Sequence, residues 1–145
     1  MRRILVFLLA VLLAASAGSV IQSLVNLQAI AALTGPIATA EQLSTLWFDL
    51  RHFMPVLAAI FLPIMLLSLV LSRIVLKRAT LGTVPAVFVI TALSTWAALL
   101  IINQLAPMPT LIALNRTLAG TLLLLSCCAL GAVFYHYFSR SRSVA

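Results

Sequence analysis

The side chains best suited to acid–base, metal or thiol chemistry are few: Glu41, Asp49, His52, His136, Cys127 and Cys128, in a chain of 145 residues. Asp49 and His52 are three residues apart, so on a helix they share a face. Glu41 falls on that face too, but two turns earlier, roughly 12 Å away by helix rise. Metal sites need three or four convergent ligands, and this face offers two. Bis-imidazole haem ligation needs both histidines at one depth. His52 and His136 fall at opposite ends of their apolar segments, separated by a hydrocarbon thickness of about 30 Å. His52 as a base for Ser44 or Thr45 has no supporting local motif. Cys127 and Cys128 are adjacent, with no Cys-x-x-Cys pair, and read as small apolar packing residues. The sequence therefore assigns no catalytic residue, no metal ligand and no cofactor, and the chain reads as a non-enzyme.

What positions these residues is a set of apolar segments. From Ile4 to Ala40 there is no Asp, Glu, Lys or Arg, and long apolar runs recur at about 53–76, 84–105 and 117–138. The chain is 64% hydrophobic and 8% charged, with mean hydropathy +1.24. A soluble helix needs a wet face, and a charge at the bilayer centre costs about 2.5–3.5 kcal/mol. The pattern predicts an all-α membrane protein. It is a single domain over 1–145, a four-transmembrane-helix bundle with spans at about 4–25, 53–76, 84–105 and 117–138.

The net charge of +7 is not a nucleic-acid signal, because the basic residues mark helix ends. Arg2, Arg3, Arg73, Lys77, Arg78, Arg140 and Arg142 fall at the N-terminus, the 72–83 turn and the C-terminus. Arg51 and Arg116 fall on the other side, with Glu41 and Asp49. This is the positive-inside pattern. It predicts a multi-pass protein of the cell (inner) membrane with both termini cytoplasmic, the basic ends meeting anionic lipid head groups. The partners it implies are the lipid bilayer and either a second copy or a larger membrane complex.

Residues 1–25 allow two readings. Arg2-Arg3, an apolar core and Ala15-Ser16-Ala17 fit a cleavable secretory signal. Against cleavage, apolar sequence continues through Val20, Leu24, Leu27 and Ile30, and this favours an uncleaved first span. Ala10, Ala14 and Gly18 repeat every four residues and predict a helix-packing stripe. Gln22 and Asn26 extend it with amides that bond across helices.

Gly35-Pro36 marks a turn. Thr39 with Gln42 reads as a capping box. Leu43, Leu46, Trp47, Leu50 and Met54 then follow at helical spacing, opposite Glu41, Thr45, Phe48, Asp49 and His52. This predicts a short amphipathic interfacial helix over about 40–53, between the first and second spans, with aromatic rings at interfacial depth. Pro63 predicts a kink in the second span. Pro107 and Pro109 break the chain, Thr110 is a candidate cap, and Tyr135, Tyr137 and Phe138 form an aromatic belt.

The candidate functional feature is a polar cluster at the outer level, drawn from every element. It comprises Gln22, Asn26, Glu41, Asp49, His52, Asn103, Gln104, Asn115 and Arg116. Arg116 is expected to pair with Asp49 or Glu41, since half-buried charges seek partners. The leading expectation is a structural or accessory membrane subunit. The alternative is transport or small-ligand binding at this cluster, with a pore between protomers lined by Thr91, Thr95 and the amides. A membrane-embedded enzyme ranks third.

Overall fold

The computed structural model describes residues 1–77, 83–105, 115 and 117–140. The described residues form four helices: α1 (Arg2–Thr34), α2 (Thr39–Leu76), α3 (Thr83–Leu105) and α4 (Leu118–Arg140). All four are long and apolar enough to cross a membrane. Each helix packs on its neighbours in a ring, α1 on α2 and α4, and α3 on α2 and α4, with α2 and α4 also touching across the middle. The start of α1, the end of α2, the start of α3 and the end of α4 meet at one cavity, which Arg3, Lys77, Thr83 and Ser139 all line. Consecutive helices are therefore antiparallel. The bundle has a basic end, at that cavity, and an acidic end, where α2 carries Glu41 and Asp49.

The burial pattern departs from a soluble bundle: hydroxyls share the apolar interior and the outside is apolar as well. Ser19, Ser23, Ser68, Ser72, Thr91 and Thr95 are buried, while Leu66, Leu67, Leu93, Ile101, Leu122 and Leu130 stand on the outside. Exposed leucine covers an outer face compatibly with lipid, and a buried hydroxyl in such a face needs a partner on its own or a neighbouring helix.

Two helices are longer than the expected spans. α1 passes unbroken through Ala15–Ala17 and ends only at Gly35, whose φ of 95° stops the helix. The Gly35 N–H donates to the Ala31 carbonyl at 3.0 Å. Positive φ suits glycine, which has no Cβ to clash. With no Gly or Pro between Gly18 and Gly35, nothing ends the helix sooner.

Residues 40–53 do not form a separate interfacial helix. They are the first third of α2, which continues through Pro55 and Pro63. The physical reason is a shared phase. Leu46, Asp49, Leu50, Phe53, Met54, Leu57, Phe61, Ile64 and Met65 make one inward stripe without a break in period. Both prolines lie on the exposed side of α2. The expected capping box is also absent. Ala38 is the N-cap without a side-chain bond, and the Gln42 amide donates to the Ile37 carbonyl instead.

Close approach in the bundle centre depends on small residues. Ala10 and Ala14 are 0% and 3% exposed. A Cβ on Gly18 would come 2.8 Å from the tip of Leu57. At Gly131 on α4 the fit is tighter in kind: a Cβ there would come 2.8 Å from the Ala14 Cβ and 3.1 Å from the Ala10 carbonyl oxygen. Neither of those atoms can swing aside as a leucine tip can. Cys127, Cys128, Ala129 and Ala132 are buried alongside, and both cysteines are free thiols.

Candidate functional site

Helix spacing brings the polar cluster of the acidic end together in two separate groups. The first lies between α1 and α2. Ser19, Gln22 and Ser23 fall at i, i+3 and i+4, one face of α1, and all three are buried. Opposite them the Ser23 Oγ lies 2.6 Å from Asp49 Oδ2 and 2.9 Å from the Ser19 carbonyl. The hydroxyl has one proton for these two acceptors. Ser19 Oγ and Gln22 Oε1 have no hydrogen-bond partner among the described residues.

The second group lies between α3 and α4. Asn115 Nδ2 donates to Asn103 Oδ1 at 3.1 Å, and the Thr121 hydroxyl donates to Asn115 Oδ1 at 3.0 Å. An open cavity of about 450 Å³ runs beside them, lined by Trp96, Leu99, Leu122 and Leu125 among others. Among the described residues no hydrogen bond joins this group to the first.

The remaining cluster members stand apart. Asn26, Glu41 and Gln104 are exposed. His52 is exposed as well, stacked on Phe48 at 4.1 Å with Nδ1 3.0 Å from the Phe48 carbonyl. It sits one helical turn from its own partner and does not bond Asp49. Arg116, expected to pair with Asp49 or Glu41, lies outside the described residues, as do Pro107, Pro109 and Thr110. Along the 40–53 segment Leu43 and Trp47 face outward at 70% and 66% exposure, while Asp49 bonds Ser23 of α1.

In the middle of the bundle a band of hydroxyls links α2 and α3. The Ser68 hydroxyl donates to the Met65 carbonyl at 3.0 Å, and the Ser72 hydroxyl to the Ser68 carbonyl at 2.7 Å. Thr91 crosses from α3 to donate to Ser68 Oγ at 3.1 Å. Thr95 donates to the Thr91 carbonyl at 2.8 Å. Thr91 and Thr95 are each 0% exposed. They cannot line a pore between protomers, because their side chains are enclosed within one bundle.

Chemically, these arrangements hold helices together. His52 and His136 fall at opposite ends, since His136 shares a cavity with Ser72, twenty residues beyond His52 on α2, about 30 Å by helix rise. Among the described residues, no three His, Cys, Asp or Glu side chains come together in a way that could hold a metal ion.

The sequence reading missed Ser19 and Ser23, although their four-residue spacing beside Gln22 was a usable signal. Thr121 as the support of Asn115, and Gly131 as the closest contact to α1, had no comparable local signature. Compared with protein-family models, with characterised protein sequences and with solved structures, the chain finds a match in none of the three.

Proposed function

We propose that this is a non-catalytic protein of the cell (inner) membrane, with both termini cytoplasmic, acting as a packing or accessory subunit. It works through contacts with a second copy or with another membrane protein. One observation carries the reading: the inter-helix polar bonds Ser23–Asp49 and Thr91–Ser68 join α1 to α2 and α2 to α3, and at the exposed rim Asn115, just before α4, bonds Asn103 of α3. Polar bonds of this type hold membrane helices together at roughly 0.6 kcal/mol each. The basic end supports a cytoplasmic orientation by the positive-inside rule. A reporter fused after Ala145 should behave as cytoplasmic and one inserted at Gly35 as external; the reverse would overturn the orientation.

Trp47 is the place to look for a partner. It borders an apolar cavity of about 650 Å³ shared with Val20, Leu43, Leu46 and Leu50. A photo-crosslinking residue at position 47 should give a discrete protein adduct in native membranes. Lipid adducts alone at 47, and equally at the outward positions 93 and 130, would overturn the accessory role.

A second reading, a small-ligand or transport site, draws support from the unpartnered Ser19 Oγ and Gln22 Oε1 beside Asp49. Buried polar atoms without partners call for an explanation. Gln22→Ala and Asp49→Asn variants that stay folded and keep the crosslink, yet lose solute uptake, would favour this reading. Variants that lose stability and the crosslink together would leave packing as the role.

A further inference from the structure

We propose that the basic end holds a site for one anionic phospholipid. Its phosphate group sits among Arg3, Arg73 and Lys77, and one acyl chain lies along Phe7, Leu66, Leu69 and Val70. The inference is independent of the accessory role. It begins with a cavity of about 410 Å³ where all four helices meet, lined by these three cations together with Ser72, Tyr135 and Ser139. Arg73 and Lys77 are four residues apart at the end of α2, so they share a face, and Arg3 approaches from α1.

Among the described residues no acidic side chain is at hand to neutralise them. The chain has two, Glu41 and Asp49, both in the first third of α2. Asp49 is 24 residues before Arg73, about 36 Å by helix rise. The side chains of Arg3, Arg73 and Lys77 have no hydrogen-bond or ion-pair partner among the described residues. The C-terminal dipole of α2 supplies about half a negative charge, against three positive ones. An anion is the complementary ligand, and a phosphate suits arginine's fork of donors.

A second, apolar slot identifies which phosphate. It has a volume of about 190 Å³ and shares Arg3, Leu69, Arg73 and Tyr135 with the basic cavity, but continues along Phe7, Leu66 and Val70. Tyr135 stands at the junction, its ring held edge-on by Phe7 at 5.6 Å and 86°. A polar chamber opening into an apolar furrow, at the end of helices long enough to span a bilayer, matches a head group with its chain. Free inorganic phosphate would use only the first half. Basic pockets between helix ends are where anionic head groups bind.

The test uses the full chain purified in a neutral detergent and titrated by native mass spectrometry. The probes are phosphatidylglycerol, phosphatidylcholine and inorganic phosphate. One phosphatidylglycerol per chain should be retained, with phosphatidylcholine clearly weaker. The Arg3→Gln/Arg73→Gln double variant should lower phosphatidylglycerol affinity roughly thirtyfold, from about 1 kcal/mol per cation. Should that variant not fold, Lys77→Gln alone should lower it roughly fivefold by the same conversion. Arg51→Gln, at the acidic end, should leave it unchanged. Equal retention of the two lipids would overturn the site, as would unchanged retention in the double variant or, should that variant not fold, in Lys77→Gln. Displacement of the lipid by millimolar phosphate would overturn the lipid assignment in favour of a free-anion site.

Discussion

The two ends of this bundle treat their polar residues in opposite ways. At the acidic end Asp49 meets Ser23, and Asn115 joins Asn103 to Thr121. These groups close on one another across helix pairs, while Ser19 Oγ and Gln22 Oε1 stay without a partner among the described residues. At the basic end Arg3, Arg73 and Lys77 line an open cavity without a carboxylate. The difference follows from chemistry. Neutral amides and hydroxyls carry both donors and acceptors, so they satisfy each other. A set of cations carries donors only, and needs an acceptor from elsewhere. The Ser23–Asp49 and Asn103–Asn115–Thr121 sets therefore bind the protein to itself, whereas Arg3, Arg73 and Lys77 are available to a ligand.

The comparison presumes one frame rigid enough to hold the ends in register, and breaking that frame should give the largest effect. Gly131→Leu places a side chain against the Ala14 Cβ and the Ala10 backbone. Overpacking of this kind costs about 3 kcal/mol, and the variant should unfold at much lower denaturant in detergent. Gly18→Leu should cost less, because its nearest obstacle is the movable end of Leu57. Equal losses would mean that the close approach of α4 to α1 is not the tight point.

Asp49→Ala comes next. If the acidic end is structural, the loss should be about 2 kcal/mol, the net worth of a hydrogen bond to a charged group, with the Ser23 hydroxyl left to the Ser19 carbonyl. In the Ser23→Ala background the same change should cost measurably less, because the bond is already gone. Additive losses would uncouple the pair. Asn103→Ala should cost about 1 kcal/mol, read as a lower midpoint of unfolding, with the half-exposed Asn115 free to turn to water.

Arg73→Gln should have the smallest effect on stability, within about 0.5 kcal/mol, as for exposed positions generally. A loss as large as that of Asp49→Ala would erase the contrast between the ends, because the cations would then be holding the fold together.

Four apolar segments, the turn at Gly35-Pro36 and the small stripe Ala10, Ala14 and Gly18 were legible in the chain, because hydropathy and local spacing act over one helix at a time. The interfacial helix was not. The 40–53 stretch is amphipathic by itself, and only packing of Leu46, Asp49 and Leu50 against the bundle shows that it continues into the span. Among the described residues the polar cluster falls into two groups for a related reason. Sequence placed Gln22, Asp49, Asn103 and Asn115 at a common depth, but depth does not say which helices are neighbours. The ring order of the helices divides them into one pair of contacts between α1 and α2 and another between α3 and α4.

What the sequence determined alone was which segments are apolar enough to span a membrane and where between them the charges fall, since transfer free energies depend on residue type and not on partners. Only the tertiary structure decided that Ser23 meets Asp49, that Gly131 seats against Ala14, and that Arg3, Arg73 and Lys77 converge. Those are relations between residues 26, 117 and 70 positions apart, and they exist only once antiparallel helices bring opposite ends of the chain side by side.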